Sequence, residues 1–141
     1  YRPYLLGQKA SSCKQVGDVR QLIAGTRVFV GTTTALSSNA AIFRLKQFSL
    51  AIVDEASQIL EPHLLALLSA KHGTQDAIRK FVFIGDHKQL PAVVMQNEQE
   101  SKVEDAQLNE IGLSNCRYSL FERLLSLQKD NSRLVYCMER Q

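Results

Sequence analysis

The sequence predicts an α/β domain, a mainly parallel sheet flanked by helices. Three observations carry that expectation. Short runs of β-branched and aromatic residues recur that are apolar without alternation, the habit of strands buried on both faces. Segments of helical length separate them. Each run ends in small or polar residues, the ligand-collecting end of strands in this architecture.

Taken in order, the first run is Arg27-Val-Phe-Val-Gly-Thr-Thr, the second Leu50-Ala-Ile-Val-Asp-Glu and the third Phe81-Val-Phe-Ile-Gly-Asp. Between the second and third, Ser57 to Lys71 sets Ile59, Leu60, Leu64, Leu67 and Leu68 at near-helical spacing. Pro62 is tolerable only in a first turn, so the helix is expected to start near Glu61. Residues 96 to 110 read as a polar connection or a solvent-facing helix. Tyr118 to Gln128 follows with an apolar face of Leu120, Phe121, Leu124, Leu125 and Leu127. Lys129-Asp-Asn-Ser supplies a turn, and Arg133-Leu-Val-Tyr-Cys-Met reads as a fourth strand.

The 141 residues suffice for one core, and 45% hydrophobic with 22% charged side chains is ordinary for a globular chain. No apolar run nears the ~20 residues of a membrane span, so no membrane role is expected. Cys13, Cys116 and Cys137, an odd and dispersed set, argue against a disulfide framework and fit a reducing, intracellular compartment. His63, His72 and His87 are equally scattered, and no metal-ligand spacing occurs. The net charge of +3 is unevenly spread: residues 96 to 110 carry −4, leaving +7 on the rest. Residues 1 to 46 hold seven basic side chains against Asp18 alone. Such a stretch suits a phosphate backbone, and it equally suits a solvated face.

The strand ends hold the chemistry. In Leu50-Ala-Ile-Val-Asp54-Glu55, an acid at the tip of a buried strand can hold magnesium beside nucleotide phosphates, and the next residue can turn toward an attacking water. The competing reading is that the two acids cap the following helix. In Gly85-Asp86-His87-Lys88-Gln89-Leu90-Pro91, glycine permits close backbone approach, Gln89 can donate to a phosphate oxygen, and Pro91 stiffens the exit. A polar turn closed by proline is the plain alternative.

Together these segments resemble superfamily 1 helicases, in the branch of the RNA-surveillance and Okazaki-fragment-processing enzymes. Val53-Asp54-Glu55-Ala56-Ser57-Gln58 looks like motif II of that branch, and Gly85-Asp86-His87-Lys88-Gln89-Leu90-Pro91 like its motif III. Ser119-Leu-Phe-Glu-Arg-Leu124 is similar to a stretch between motifs III and IV, and Gly31-Thr32-Thr33-Thr34 sits where a nucleic-acid-contacting motif is found. The resemblance implies a RecA-like (P-loop NTPase) domain, with ATP and Mg2+ as cofactors and single-stranded DNA or RNA as partner. It gives Asp54 to magnesium, Glu55 to the catalytic base and Gln58 to the vicinity of the γ-phosphate or the water. Gln89 would contact the γ-phosphate, Gly85 and Asp86 would shape its loop, and Thr32, Thr33 and Pro91 would line the strand. Movement in this branch is 5′ to 3′, driven by two RecA-like domains, and the place of action is the cytoplasm, the nucleus or a bacterial nucleoid.

No Gly-x-x-x-x-Gly-Lys-Ser/Thr occurs, Gly7-Gln-Lys9-Ala-Ser being the nearest approach. Gln141 looks like the first residue of the family's Gln-Tyr-Arg-Met-His motif. The expectation is that residues 1–141 form part of one motor domain, inactive alone, with the phosphate-binding loop and the second motor domain outside the chain. Two other readings remain: a nucleic-acid-binding or scaffold module that kept the fold and lost hydrolysis, and a carboxylate-metal nuclease, which needs more converging acids than Asp54 and Glu55 supply.

Overall fold

The computed structural model describes residues 16–89 and 92–138. Cys13, the Gly7–Lys9 segment, Leu90, Pro91 and Gln141 lie outside the described residues. The described chain forms two compact units, 16–51 with 63–81 and 52–62 with 82–138.

In the first unit, helix α1 (Val16–Gly25) carries Asp18 in its first turn, where an acid complements the helix dipole. Thr26 closes it, donating both its amide and its hydroxyl to the Leu22 carbonyl. Helix α2 (Thr33–Ser38) is capped by Thr32, whose hydroxyl oxygen accepts from the Ala35 amide at 3.1 Å. Helix α3 (Ala41–Leu45) buries Phe43. The Phe48 ring takes two edge-on contacts, Phe29 at 5.3 Å and Phe43 at 5.8 Å between centroids. Helix α4 (Leu65–Leu68) contributes Leu67 to the core beside the buried Leu64, Ala77 and Ile78. Strands β2 (Lys71–His72) and β3 (Gln75–Asp76) form a small antiparallel hairpin, turned by Gly73 at a φ of 62° that disfavours a side chain.

The main ladder joins β1 (Ala51–Val53) to β4 (Phe81–Phe83). It is parallel, as the sequence predicts. A parallel bridge pairs Phe48 with Ile78, and the Ala51 amide then donates to the Lys80 carbonyl within the first unit. Farther along, within the second unit, the Ile84 amide donates to the Val53 carbonyl. A parallel pair cannot be joined by a tight hairpin, so a long connection must separate β1 from β4.

In the second unit, residues 97–116 fold back on themselves through an antiparallel bridge between Lys102 and Asn115 and reciprocal bonds between Asn97 and Glu100. Helix α5 (Ala106–Glu110) starts at Asp105, whose carboxylate accepts from the Leu108 amide. Helix α6 (Leu120–Gln128) begins in a complete capping box: Ser119 Oγ accepts from the Glu122 amide at 3.1 Å, and Glu122 Oε2 accepts from the Ser119 amide at 3.0 Å. Ser119 is fully buried, so loss of its hydroxyl leaves an amide unmet. Ser119→Ala is expected to destabilise α6 by about 1–2 kcal/mol, read as faster hydrogen exchange of its first-turn amides.

Four expectations are corrected. Ser57 to Lys71 is not one helix: it divides into 3₁₀ turns at Ala56–Gln58 and Glu61–His63 and the single turn of α4. Between those turns Leu60 bridges to Ser119, a main-chain pairing that a continuous helix would forbid, and Glu61, opening the second turn, points inward to Arg123. Arg27–Gly31 and Arg133–Met138 pair with no described strand, and Val28, Val30, Leu134 and Tyr136 stay exposed. The paired strands are covered on one side only: Val53 is 7% exposed, whereas its neighbour Ile52 is 63% exposed and Val82 and Ile84 are open as well. Continuous apolarity was therefore a sound sign of parallel pairing and a poor one of two-sided burial within these residues. The β2–β3 hairpin has no counterpart among the expected elements, its two-residue strands being too short to show any alternation in the sequence.

Candidate active site

The site is built where β1 ends. After Val53 the chain must leave the ladder, and it does so through Glu55, which has φ 51° and ψ 37°. Among the described residues Glu55 alone combines a side chain with a positive φ. That left-handed conformation costs an L-residue about 1–2 kcal/mol. Three hydrogen bonds hold it. The Glu55 amide donates to Asp54 Oδ1 at 3.0 Å, the Gln58 amide donates to the Glu55 carbonyl at 2.9 Å, and the Ala56 amide donates to the Ile84 carbonyl at 2.8 Å. The last of these carries the β1–β4 pairing beyond both strands, joining the third residue after β1 to the first after β4.

The reversal exposes both acids at one strand tip. Glu55 occupies the cap position of the 3₁₀ turn, yet its side chain makes no capping bond. Glu55 thus does not cap the turn through its side chain. The Glu55 carboxylate accepts from Gln58, whose amide nitrogen lies 3.4 Å from Oε2, at the long limit of a hydrogen bond. Gln58 thus sits beside Glu55 on the exposed side of the turn, and Ala56 and Ser57 are buried beneath it.

The second segment arrives from β4. Gly85 passes so close to Ser57 that a β-carbon there would lie 2.9 Å from the Ser57 amide nitrogen. Close approach, not an unusual dihedral, is what demands glycine at this position. Beyond it Asp86 organises the loop: its Oδ1 accepts from the Lys88 amide at 2.9 Å and its carbonyl from the Gln89 amide at 3.2 Å. Gln89 is exposed. Among the described residues no hydrogen bond joins its side chain to Asp54 or Glu55.

Motifs II and III thus meet through Ala56, Ser57, Ile84 and Gly85, bringing Asp54, Glu55 and Gln58 beside the start of the Gly85–Gln89 loop. Thr32 and Thr33 belong to the other compact unit, Thr32 as the α2 cap and Thr33 as its first residue. Pro91 lies outside the described residues. As for what the site could hold, exposed carboxylate oxygens are hard donors that suit magnesium bound by one or two acids together with phosphate and water. Among the described residues no group of three or more His, Cys, Asp or Glu converges as a ready-made metal cage. No helix among them is long and apolar enough to cross a membrane.

One pair escaped the sequence reading. Glu61 and Arg123 form a bidentate ion pair with side chains 11% and 13% exposed. Arg123 Nε donates to Glu61 Oε2 at 2.9 Å, Nη2 donates to Oε1, and Nη1 donates to the Ile111 carbonyl at 2.7 Å. The pair anchors the segment after motif II to α6. The available signal was an acid inside an apolar run, next to Pro62, and an arginine on the apolar helix that begins at Leu120.

A model of the family described as "AAA domain" matches residues 7–97. The DNA replication ATP-dependent helicase/nuclease DNA2 of Gallus gallus is 35% identical over 116 residues, covering 82% of this chain and 10% of that protein. Its namesake in Homo sapiens is 39% identical over 92 residues, 65% of this chain and 7% of that one. An uncharacterized ATP-dependent helicase of Methanocaldococcus jannaschii is 32% identical over 84 residues, 60% and 11% of the two chains. The chain therefore spans about a tenth of the length of these relatives.

Proposed function

From the premise that this chain belongs to the AAA domain family, as a superfamily 1 helicase-type piece of an α/β motor domain, we propose that it works within a longer ATP-dependent helicase. In that setting it contributes the hydrolytic half of the nucleotide site, and hydrolysis drives movement 5′ to 3′ along single-stranded DNA or RNA. The observation that carries the reading is the meeting of the two motifs. The Ala56–Ile84 hydrogen bond and the Ser57–Gly85 contact set two acids and the glutamine loop at adjacent strand tips.

Each residue then has a task fitted to its placement. Asp54, at the strand tip with one oxygen already steadied by the Glu55 amide, would hold magnesium directly or through its waters. The ion, bound with the triphosphate, would neutralise charge on the β- and γ-phosphates. Glu55, swung out of the ladder by its left-handed backbone, would take the proton of the attacking water, and Gln58 would orient that carboxylate. Gln89 would report on the γ-phosphate from a loop whose shape Asp86 fixes. Thr32 uses its oxygen as an acceptor for the helix cap, which leaves its O–H to donate to a nucleic-acid phosphate, with Thr33 next to it in the chain. Such work belongs inside the cell, in the nucleus, the cytoplasm or a nucleoid.

The test is ATP turnover with and without single-stranded nucleic acid. The full-length protein is expected to hydrolyse ATP faster when DNA or RNA strands are added, and residues 1–141 alone are expected to show nothing above buffer. A full-length protein with no turnover under either condition would leave a binding or scaffold role as the answer.

A further inference from the structure

Ser57 is 5% exposed, and its hydroxyl oxygen is buried without a hydrogen-bond partner among the described residues. Leaving a buried hydroxyl unmet is costly, and native chains rarely do it without a reason. The position is not a loose one. Ala56 before it has no exposed surface and is bonded to Ile84, and the Ser57 main chain is pressed against Gly85. A β-carbon built on Gly85 would stand 3.2 Å from Ser57 Oγ, so the hydroxyl already lies against the first residue of the glutamine loop. On the other side, two residues away along the chain, is the strained Glu55.

We propose that Ser57 is a positioning residue for Glu55, whose hydroxyl takes its missing hydrogen bond from the Gly85 main chain when the Gly85–Gln89 loop closes on the nucleotide. The loop would then register the γ-phosphate through Gln89 and pass that state to the base through one contact, Gly85 on Ser57. The shift needed is small, because the two residues already touch. No resting side-chain hydrogen bond to a described residue has to break, because Ser57 Oγ makes none. The inference rests on reading Glu55 as the base of ATP hydrolysis.

The variant is Ser57→Ala in the full-length protein, with steady-state ATP hydrolysis in saturating single-stranded nucleic acid and thermal unfolding measured side by side. A hydrogen bond formed only in the closed state should cost about three- to tenfold in kcat with KM for ATP unchanged. The unfolding midpoint should hold or rise, since an unmet hydroxyl is lost. Gly85→Ala, which forces a β-carbon onto the Ser57 amide, should lower kcat further and also leave KM in place. A merely structural serine predicts either wild-type kcat or a loss that tracks a lowered midpoint, and either result overturns the proposal. Glu55→Gln separates the two layers. If it abolishes turnover while Ser57→Ala is unimpaired, only the positioning role fails; if it retains turnover, the premise itself has failed.

Discussion

Glu55→Gln in the full-length protein is expected to lower nucleic-acid-stimulated ATP turnover by roughly 100- to 10,000-fold, the usual weight of a positioned general base. That range corresponds to about 3–5 kcal/mol of lost transition-state stabilisation. The substitution is a clean probe because it alters so little else. Glutamine has the same shape and a comparable intolerance of the left-handed conformation at φ 51°, so the turn bears the same strain in both proteins. Its amide oxygen can still face Gln58 Nε2, and the three main-chain bonds that shape residues 54–58 do not involve the side chain being changed. ATP affinity, measured by titration of a fluorescent analogue, should therefore stay within a few-fold of the parent. Normal turnover in this variant would remove the base from Glu55, and the backbone strain would then need another explanation. The strain itself supports the assignment: a conformation this unfavourable persists where surrounding contacts over-determine it, and such positions cluster at working sites.

The parallel pairing of β1 and β4 was legible in Leu50–Val53 and Phe81–Ile84, because an unalternating β-branched run followed by small or acidic residues has few other uses. Helix α6 was legible to within two residues, with a turn after it as expected, because Leu120, Phe121, Leu124, Leu125 and Leu127 form an apolar stripe ahead of Lys129-Asp-Asn-Ser; the capping box of Ser119 and Glu122 went unread. The departure of Glu55 from the sheet was anticipated, but its left-handed backbone was not, since glutamate gives no local sign of φ above zero. The misread stretch, Ser57 to Lys71, failed for a tertiary reason. Its leucine spacing satisfies a helix, yet Leu60 and Glu61 are claimed by Ser119 and Arg123, some 60 residues downstream. Local pattern cannot foresee a partner that distant. The apolar runs Arg27–Val30 and Leu134–Met138 likewise have strand composition, and composition does not supply the neighbour that a ladder needs.

Breaking the Glu61–Arg123 pair is expected to produce the largest loss of stability in the second unit. Two charges with side chains 11% and 13% exposed have given up most of their hydration, and each is repaid almost wholly by the other. Arg123→Met removes one partner and leaves the Glu61 carboxylate buried and uncompensated, while the exposed Ile111 carbonyl turns to water. The expected cost is about 3–5 kcal/mol, far above the 0–1 kcal/mol of a surface pair such as Lys71–Asp76. In hydrogen exchange followed by mass spectrometry, amides of α6 should exchange about 100- to 1,000-fold faster, while those of the first unit serve as the internal reference. The double replacement Glu61→Met/Arg123→Met discriminates between attraction and rescue from isolation. Because desolvation offsets most of the Coulomb gain in such a pair, two apolar side chains of similar length should recover most of the loss. A double variant as unstable as the single would mean that the pair's fixed geometry, three hydrogen bonds reaching Glu61 and Ile111 from one guanidinium, carries the stability. Its charge would then count for little, and the segment following motif II would depend on that geometry to stay seated against α6.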